Sequence, residues 1–303
     1  MAGFLAARLR LLAENASEVL SRFVFVVALP SLIFTSLSRI GIAEFFDWRY
    51  IAVIGGGMLI LFAISLLVAR LVFARGPAAG ALHALTAMYS STAYIGLPLV
   101  LTLFGDAARV PGIIGAIITG LVFAPLAILL LEIDRARGER AQLVKPLVSV
   151  ILRPPVFAVI VGLAVSASGV GVAAPVHSFF ALLGDAFVPC ALFAAGLFIG
   201  RPAAFATARD PVRPPRFAAE LSWLVAAKLL LHPLIAWWLA FHVFELNHLY
   251  ATVAVMQSAL PSGVPVFVLA QQYGIFVARS SAAIAISTAL AVLSVPLLFL
   301  LLN

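Results

Sequence analysis

Charge and cysteine are scarce in this sequence. Charged residues make up 10% of its 303 residues, whereas hydrophobic residues make up 64% and the mean hydropathy is +1.17. A water-soluble domain has about 25% charged residues, so this composition excludes one and predicts a polytopic membrane protein. The single cysteine, Cys190, excludes an internal disulfide and a metal site built on cysteine pairs.

Motifs for catalysis and for nucleic-acid binding are missing as well. The chain has no HExxH and no GxSG motif, and its five histidines form no ligand pair. An intramembrane aspartyl protease needs two deep carboxylates, and only Asp185 qualifies. The net charge of +7 is not arranged as a basic stretch interleaved with aromatics. We therefore expect no catalytic residue, metal, cofactor or nucleic-acid partner, and an intramembrane enzyme, a channel or a scaffold is the less favoured class.

The apolar runs are long enough to cross a bilayer repeatedly. A span needs about 20 apolar residues. This criterion predicts nine spans, named a to i, at about 17–38, 48–73, 80–105, 111–133, 154–174, 177–200, 221–243, 248–274 and 278–301. The two long polar connections are 134–153 and 201–219. The first separates two halves, 1–146 and 147–303, which we expect to form one integrated membrane domain.

The basic residues predict which side of the membrane each loop faces. When loops are assigned to alternate sides, fifteen of the 19 Lys and Arg residues fall on one side and three on the other, with Lys228 inside span g. Cytoplasmic loops of membrane proteins are enriched in Lys and Arg. The rich side is therefore predicted to be cytoplasmic, and the C-terminus is predicted to lie outside.

Three pairs of spans, each five apart, share sequence patterns. Spans a and f align proline and phenylalanine, spans c and h share a central polar cluster, and spans d and i end in similar apolar runs. An odd offset places the second copy upside down in the membrane, which is the inverted-repeat plan of secondary transporters. The second half has five spans and the first only four. Residues 1–13 are too short and too basic to span, and we interpret them as the tail of a missing first helix.

Spans c and h have polar residues, glycine and proline at their centres, in SSTAYIGLPLVLTLFG and MQSALPSGVPVFVLAQQYG. Non-helical backbone at membrane depth is tolerated only where it lines a buried or wet cavity. We therefore expect two broken helices that cross near the midplane, with their N-termini facing a bound anion. The alternative is that these residues only permit kinks or close packing. The candidate substrate-binding residues are Ser90, Ser91, Thr92, Tyr94, Gly96, Pro98, Pro261, Ser262, Gly263 and Pro265.

These motifs resemble the auxin efflux carrier family, and its bacterial malonate-carrier branch in particular. FVFVVALPSLIFTSL, SSTAYIGLPLVLTLFG, ALFAAGLFIG and LPSGVPVFVLAQQYG match it in order over about 4–301. The resemblance implies ten spans in two inverted five-helix repeats, a bile-acid-symporter-like fold, and a multi-pass location in the bacterial inner membrane. It also implies transport of small organic anions, with the substrate carboxylate held at the crossing. One departure is Ser91, where bacterial members commonly have asparagine.

Polar and ionisable residues inside the spans are candidates for coupling transport to a proton or a sodium ion. They are Asp185, Lys228, His232 and Gln271. Lys228 and His232 lie four apart on one face of span g. Lys228 is also a candidate for attracting an anionic substrate, while snorkelling towards an interface is the alternative. A sodium-coupled symporter of the bile-acid type is the runner-up function, and a homodimer is left open.

Overall fold

The computed structural model describes residues 2–13, 15–39, 46–123, 154–200 and 216–302. Within these ranges the chain is helical, and its strand-like pairing is limited to one isolated bridge. The α-helices are α1 (Ala2–Arg8), α2 (Ala16–Phe23), α3 (Leu29–Leu37), α4 (Trp48–Leu71), α5 (Pro77–Met88), α6 (Leu97–Phe104), α7 (Arg109–Ile117), α8 (Pro154–Ser168), α9 (Ala174–Asp185), α10 (Phe187–Ile199), α11 (Phe217–Ala226), α12 (His232–Trp238), α13 (His248–Ser258), α14 (Val264–Tyr273) and α15 (Val277–Leu302). The π-helical turns are Val24–Ala28, Thr92–Gly96, Ile118–Phe123, Ala227–Leu231 and Leu239–Val243.

Six helical stretches among the described residues are long and apolar enough to cross a membrane. They are Ala16–Leu37, Trp48–Leu71, Thr92–Gly120, Ala174–Ala194, Phe217–Val243 and Val277–Leu302. The prediction of a polytopic helical membrane protein is therefore confirmed. The count of nine spans stays a prediction, because helix α8 has only 15 residues and the predicted spans c and h are interrupted. The connection 134–153, the end of span d and residues 201–215 lie outside the described residues.

Three of the π-helical turns stand directly before a helix whose second residue is proline. Pro30 follows Val24–Ala28, Pro98 follows Thr92–Gly96, and Pro233 follows Ala227–Leu231. Proline lacks an N–H group and clashes with the carbonyl four residues earlier in a regular α-helix. A wider turn changes that spacing, so the helical stretch continues past the proline. At these three places a π-helical turn precedes the proline, and the helical stretch does not end there.

The described helices belong to two compact units. The first unit covers Met1–Asp47, Ala93–Ile117 and Leu147–Ala204, and the second covers Trp48–Thr92, Ile118–Pro146 and Phe205–Asn303. The predicted halves 1–146 and 147–303 both contribute to each unit. Spans a and f of the predicted repeat lie in the first unit, and spans b and g lie in the second. The two predicted repeats, and their inverted relation, stay predictions.

The first unit is held together by close helix contacts. Helix α3 packs against α8 and α9, and α1 packs against α10. A Cβ atom on Gly3 would lie 2.2 Å from the carbonyl oxygen of Phe193, so only glycine allows this approach of α1 to α10. Helices α6 and α7 fold back on each other at Gly105, whose φ of 62° suits a residue without a side chain. The apolar stretch Thr92–Gly120 therefore contains a turn.

The second unit has α4 at its centre. Helix α4 packs along α5 and also contacts α12 and α13, while α15 packs against α11 and α14. Its interior contains fully buried apolar residues such as Leu61, Leu82 and Val253. It also buries an unusual set of polar and charged side chains, including Glu220 and Lys228. Because such groups are costly to bury in hydrocarbon, they point to a functional site in this unit.

Candidate functional site

Two helix breaks in the second unit pair with each other through their backbones. Helix α5 ends at Met88, and α13 ends at Ser258. The Ser91 N–H donates to the carbonyl oxygen of Pro261 at 3.1 Å, and the Gly263 N–H donates to the carbonyl oxygen of Tyr89 at 2.9 Å. Each break thus supplies hydrogen bonds that the other would otherwise lack, which is the requirement for irregular backbone inside a membrane protein. We call 89–91 and 261–263 the paired breaks.

Side chains secure the paired breaks to neighbouring helices. Ser90 and Ser262 lie opposite each other in an antiparallel bridge, and both are buried. The Ser262 hydroxyl donates to the carbonyl oxygen of Thr86 at 2.7 Å, and its N–H donates to the hydroxyl of Ser287 at 3.2 Å. These bonds connect the break after α13 to α5 and to α15. Two interrupted segments therefore pair with each other in this unit, while their crossing at the membrane midplane stays a prediction.

In span c, Gly96 and Pro98 predict a break within the cluster Ser91–Pro98, whereas the first break lies at Tyr89–Ser91. Tyr89 has an extended backbone with ψ of 109°, and the helical path resumes at Thr92. Pro98 lies in the first turn of α6, where its missing N–H is tolerated because of the preceding π-helical turn. Pro98, Gly96 and Tyr94 belong to the first unit and are not among the residues that pair.

Of the predicted binding residues, the structure brings together those that flank the paired breaks. They are Ser90, Ser91, Thr92, Pro261, Ser262, Gly263 and Pro265, all of the second unit. Thr92 is buried, and Ser91 is half-buried. Helix α14 begins at Val264 with Pro265 as its second residue, so a helix N-terminus starts directly after the second break. Such an N-terminus favours negative charge through its first N–H groups.

Lys228 reaches the paired breaks from the π-helical turn Ala227–Leu231. Its side chain is 0% exposed. Its Nζ donates to the Ser90 hydroxyl at 2.6 Å and to the Ser258 carbonyl oxygen at 2.7 Å, and lies 2.8 Å from Nδ1 of His232. The Ser258 carbonyl ends helix α13, where the helix dipole is negative and favours a cation. Lys228 is therefore held at the paired breaks and does not snorkel to an interface.

No carboxylate among the described residues forms an ion pair with Lys228. The partners of its Nζ are a hydroxyl, a backbone carbonyl and an imidazole nitrogen. Burial of an ammonium among neutral partners costs free energy. Ionisable groups buried at membrane depth are therefore commonly functional. Its Nζ is hydrogen-bonded to Ser90, so a charged Lys228 would attract an anion that reached the paired breaks.

The other two coupling candidates do not join this arrangement. Asp185 is the last residue of α9 in the first unit and is exposed. Gln271 lies in α14 of the second unit and is also exposed. Lys228 and His232 are buried side by side, as their spacing of four residues predicted.

A second buried cluster, which we did not predict, surrounds Glu220. Its carboxylate accepts two bonds from Arg75, at 2.9 and 2.5 Å, lies 3.0 Å from Nδ1 of His83, and pairs with Nε of Arg279 at 2.5 Å. Arg279 also stacks against the rings of Phe217 and Phe276. We call Arg75, His83, Glu220 and Arg279 the Glu220 cluster. The available signal was Glu220 itself, an acidic residue at the edge of an apolar run.

The Glu220 cluster and the Lys228 contact connect the same two helices at two levels. His83 in α5 precedes Ser90 by seven residues, and Glu220 in α11 precedes Lys228 of the following π-helical turn by eight residues. Seven or eight residues are about two helical turns. Helices α5 and α11 are therefore tied together at the cluster and again at the paired breaks.

Comparison with known proteins gives a consistent family assignment. The sequence pattern of a family described as "Membrane transport protein" matches residues 1–299. A Rhizobium meliloti protein named "Putative malonate transporter" is 26% identical over 295 residues, which cover 97% of this chain and 89% of that protein. An "Uncharacterized transporter" of Methanothermobacter thermautotrophicus is 29% identical over 300 residues, with 97% and 92% covered. The "Uncharacterized transporter YfdV" of Escherichia coli is 25% identical, with 97% and 91% covered.

Proposed function

Because the chain belongs to the membrane transport protein family that includes the auxin efflux carriers, we propose that it carries small organic anions across a membrane by alternating access. The substrate carboxylate binds at the paired breaks, beside the ammonium of Lys228. Malonate and similar dicarboxylates are the first candidates, since the name of the Rhizobium meliloti relative mentions malonate.

The single observation that supports this function best is the burial of the Lys228 amine at the paired breaks. Its Nζ lies 2.6 Å from the Ser90 hydroxyl, in the centre of the polar segment that interrupts span c. A carboxylate that approaches Ser90 would gain a charge-assisted hydrogen bond, which is shorter and stronger than a neutral one. It would also supply the negative charge that the described partners of Lys228 lack. A cation or a neutral solute would gain neither.

The arrangement of the spans supports transport by alternating access. The pairing of an interrupted span c with an interrupted span h is the arrangement in which transporters place substrate sites between discontinuous helices. The predicted counterparts a and f share the first unit. This distribution is what a repeat of five spans would produce.

Direct binding to purified, monodisperse protein tests this proposal. Malonate, succinate and an aromatic monocarboxylate should be compared by calorimetry. Lys228→Met should weaken binding of the best ligand by about 2 kcal/mol, or roughly thirtyfold, because the positive charge beside the bound carboxylate is lost. Arg49→Gln removes one positive charge from the exposed start of α4 and is the matched control, expected to bind normally.

Three results would decide against the proposal. One is binding by Lys228→Met that equals the parent while the variant remains folded. Another is an equal loss in Arg49→Gln, which would indicate a general effect of charge. The third is a preference of the protein for neutral or cationic solutes over every carboxylate in the panel.

A further inference from the structure

We infer that Lys228 is the built-in coupling cation of this carrier: its ammonium, shared with His232, takes the position of a sodium ion at the crossing, so that transport is coupled to protons and is independent of sodium. This inference rests on the proposed function, because it concerns the coupling of organic-anion transport. It chooses the proton over the sodium ion as the coupling ion, a choice that the sequence left open.

The three contacts of Nζ match the three donors of an ammonium group. Ser90 offers a hydroxyl oxygen, Ser258 a carbonyl oxygen and His232 a ring nitrogen, at 2.6 to 2.8 Å. An ammonium has three N–H bonds and no lone pair. A charged Lys228 next to a neutral His232 that accepts on Nδ1 therefore satisfies all three contacts, and an uncharged Lys228 that accepts from Nδ1–H of His232 satisfies them as well.

Two of these acceptors are the oxygens that a coupling sodium ion would require. In secondary transporters the carbonyl groups at the ends of broken helices coordinate the coupling sodium ion. The Ser258 carbonyl ends α13 directly before its break, and Ser90 lies within the other break. The ammonium already binds both oxygens, and a sodium ion beside it would be repelled by a like charge. Lys228 therefore supplies, as part of the chain, the cation that would otherwise bind at the paired breaks.

Unlike sodium, this cation can be made and removed by proton transfer. Lys228 and His232 together hold at most one extra proton, because a second would place two cations 2.8 Å apart. For the pair to lose its proton, one N–H bond of the ammonium breaks, the electron pair stays on Nζ, and water takes the proton either directly or through the imidazole of His232. One proton is gained or lost in each cycle, without any other reactant.

In the part of the chain that the structure describes, no other charged side chain forms an ion pair with Lys228. The turn Ala227–Leu231 packs against α4, α5, α11, α12 and α15. Besides His232, the titratable or charged side chains on these helices are Arg49, Tyr50, Arg70, His83, Glu220 and Arg279. His83, Glu220 and Arg279 are bound within the Glu220 cluster. Among the described residues, the three contacts of Lys228 are all with uncharged groups.

Substrate and proton must then favour each other's binding. A carboxylate beside Nζ stabilises the ammonium, and the ammonium attracts the carboxylate, so by thermodynamic linkage each raises the affinity for the other by the same factor. When the anion leaves, the buried ammonium has lost its counter-charge and releases its proton to the same side. One anion and one proton therefore cross together as a symport.

The test uses the full chain in proteoliposomes with malonate as the probe and the membrane potential clamped. An acidic exterior should drive accumulation of malonate by about tenfold for each pH unit at one proton per anion, and a sodium gradient should drive none. Lys228→Arg keeps a cation that does not titrate. This variant should bind malonate and let it equilibrate, without accumulation. Arg49→Lys, a cation exchange at an exposed position, should behave like the parent.

Sodium-driven accumulation by the parent protein, or full proton-driven accumulation by Lys228→Arg, would overturn the inference. A measurement without substrate separates this inference from the proposed function. Melting of the purified protein should be the same in sodium chloride and in choline chloride of equal ionic strength, and stabilisation specific to sodium would contradict a crossing already occupied by Lys228. If malonate and the other carboxylates are not transported under any gradient, the proposed function fails, whatever the melting experiment shows.

Discussion

Replacement of Glu220 by glutamine keeps the size of the side chain and removes its charge. In the folded protein this leaves the guanidinium groups of Arg75 and Arg279 close together without a carboxylate between them. The Arg279 side chain is 8% exposed, so water cannot take over its charge, whereas that of Arg75 is 23% exposed and is partly solvated. The loss should therefore come mainly from Arg279.

The size of the effect follows from this burial. Removal of one partner of a buried ion pair costs about 3–5 kcal/mol, and the partial exposure of Arg75 places Glu220→Gln near the lower end, at about 3 kcal/mol. With about 2–4 °C per kcal/mol for a chain of this order of size, the melting temperature in detergent should fall by about 6–12 °C. Scanning fluorimetry or light scattering during heating measures this change.

The chain contains a matched control for this change. Asp106 also pairs with an arginine, Arg109, but its side chain is 85% exposed. Exposed ion pairs contribute about 0–1 kcal/mol, so Asp106→Asn should leave the melting temperature almost unchanged. The double variant Glu220→Gln with Arg279→Met removes the surplus cation and should recover part of the loss. The reasoning is refuted if Glu220→Gln melts like Asp106→Asn, or if the double variant is less stable than the single one.

The remaining predictions concern the paired breaks and the orientation in the membrane. Gly263→Ala should lower the stability of the protein by about 1–3 kcal/mol through overpacking and should weaken malonate binding, because its Cβ would lie 2.7 Å from the ring of Tyr89, whereas a Cβ on Gly55 meets nothing within 4 Å. Equal calorimetric affinities for Gly263→Ala and Gly55→Ala would contradict this. In a cysteine-free background, Asp106→Cys should react with an impermeant thiol reagent added outside and Arg10→Cys should be protected, because basic loops face the cytoplasm; the reverse labelling pattern would invert the predicted topology.

Some features of the site follow from local sequence. Polar residues, glycine and proline in the middle of two apolar runs predicted interrupted helices, because a bilayer-spanning segment otherwise has no use for them. The spacing of Lys228 and His232 placed both on one helix face. These inferences depend on a few neighbouring residues, so no tertiary contact was needed to make them.

The exact place of the first break could not be derived in this way. Proline at 98 suggested an interruption there, but a π-helical turn accommodates it and the interruption lies at Tyr89–Ser91. That position depends on the hydrogen bonds to Pro261 and Gly263, about 170 residues further along the chain. Local propensity cannot show which unpaired backbone groups will find partners so far away.

The sequence by itself determined that the chain lies in a lipid bilayer, that it is helical, and roughly where its helices are interrupted. These properties depend on hydropathy and on helix-breaking residues, which act over one or two helical turns. Only the tertiary structure decided that the ammonium of Lys228 meets Ser90 and the end of α13, and that Glu220 gathers two arginines. The physical reason is that a buried charge must find its partners in space. Lys228 and Ser90 are separated by 138 positions in the chain and by 2.6 Å in the fold.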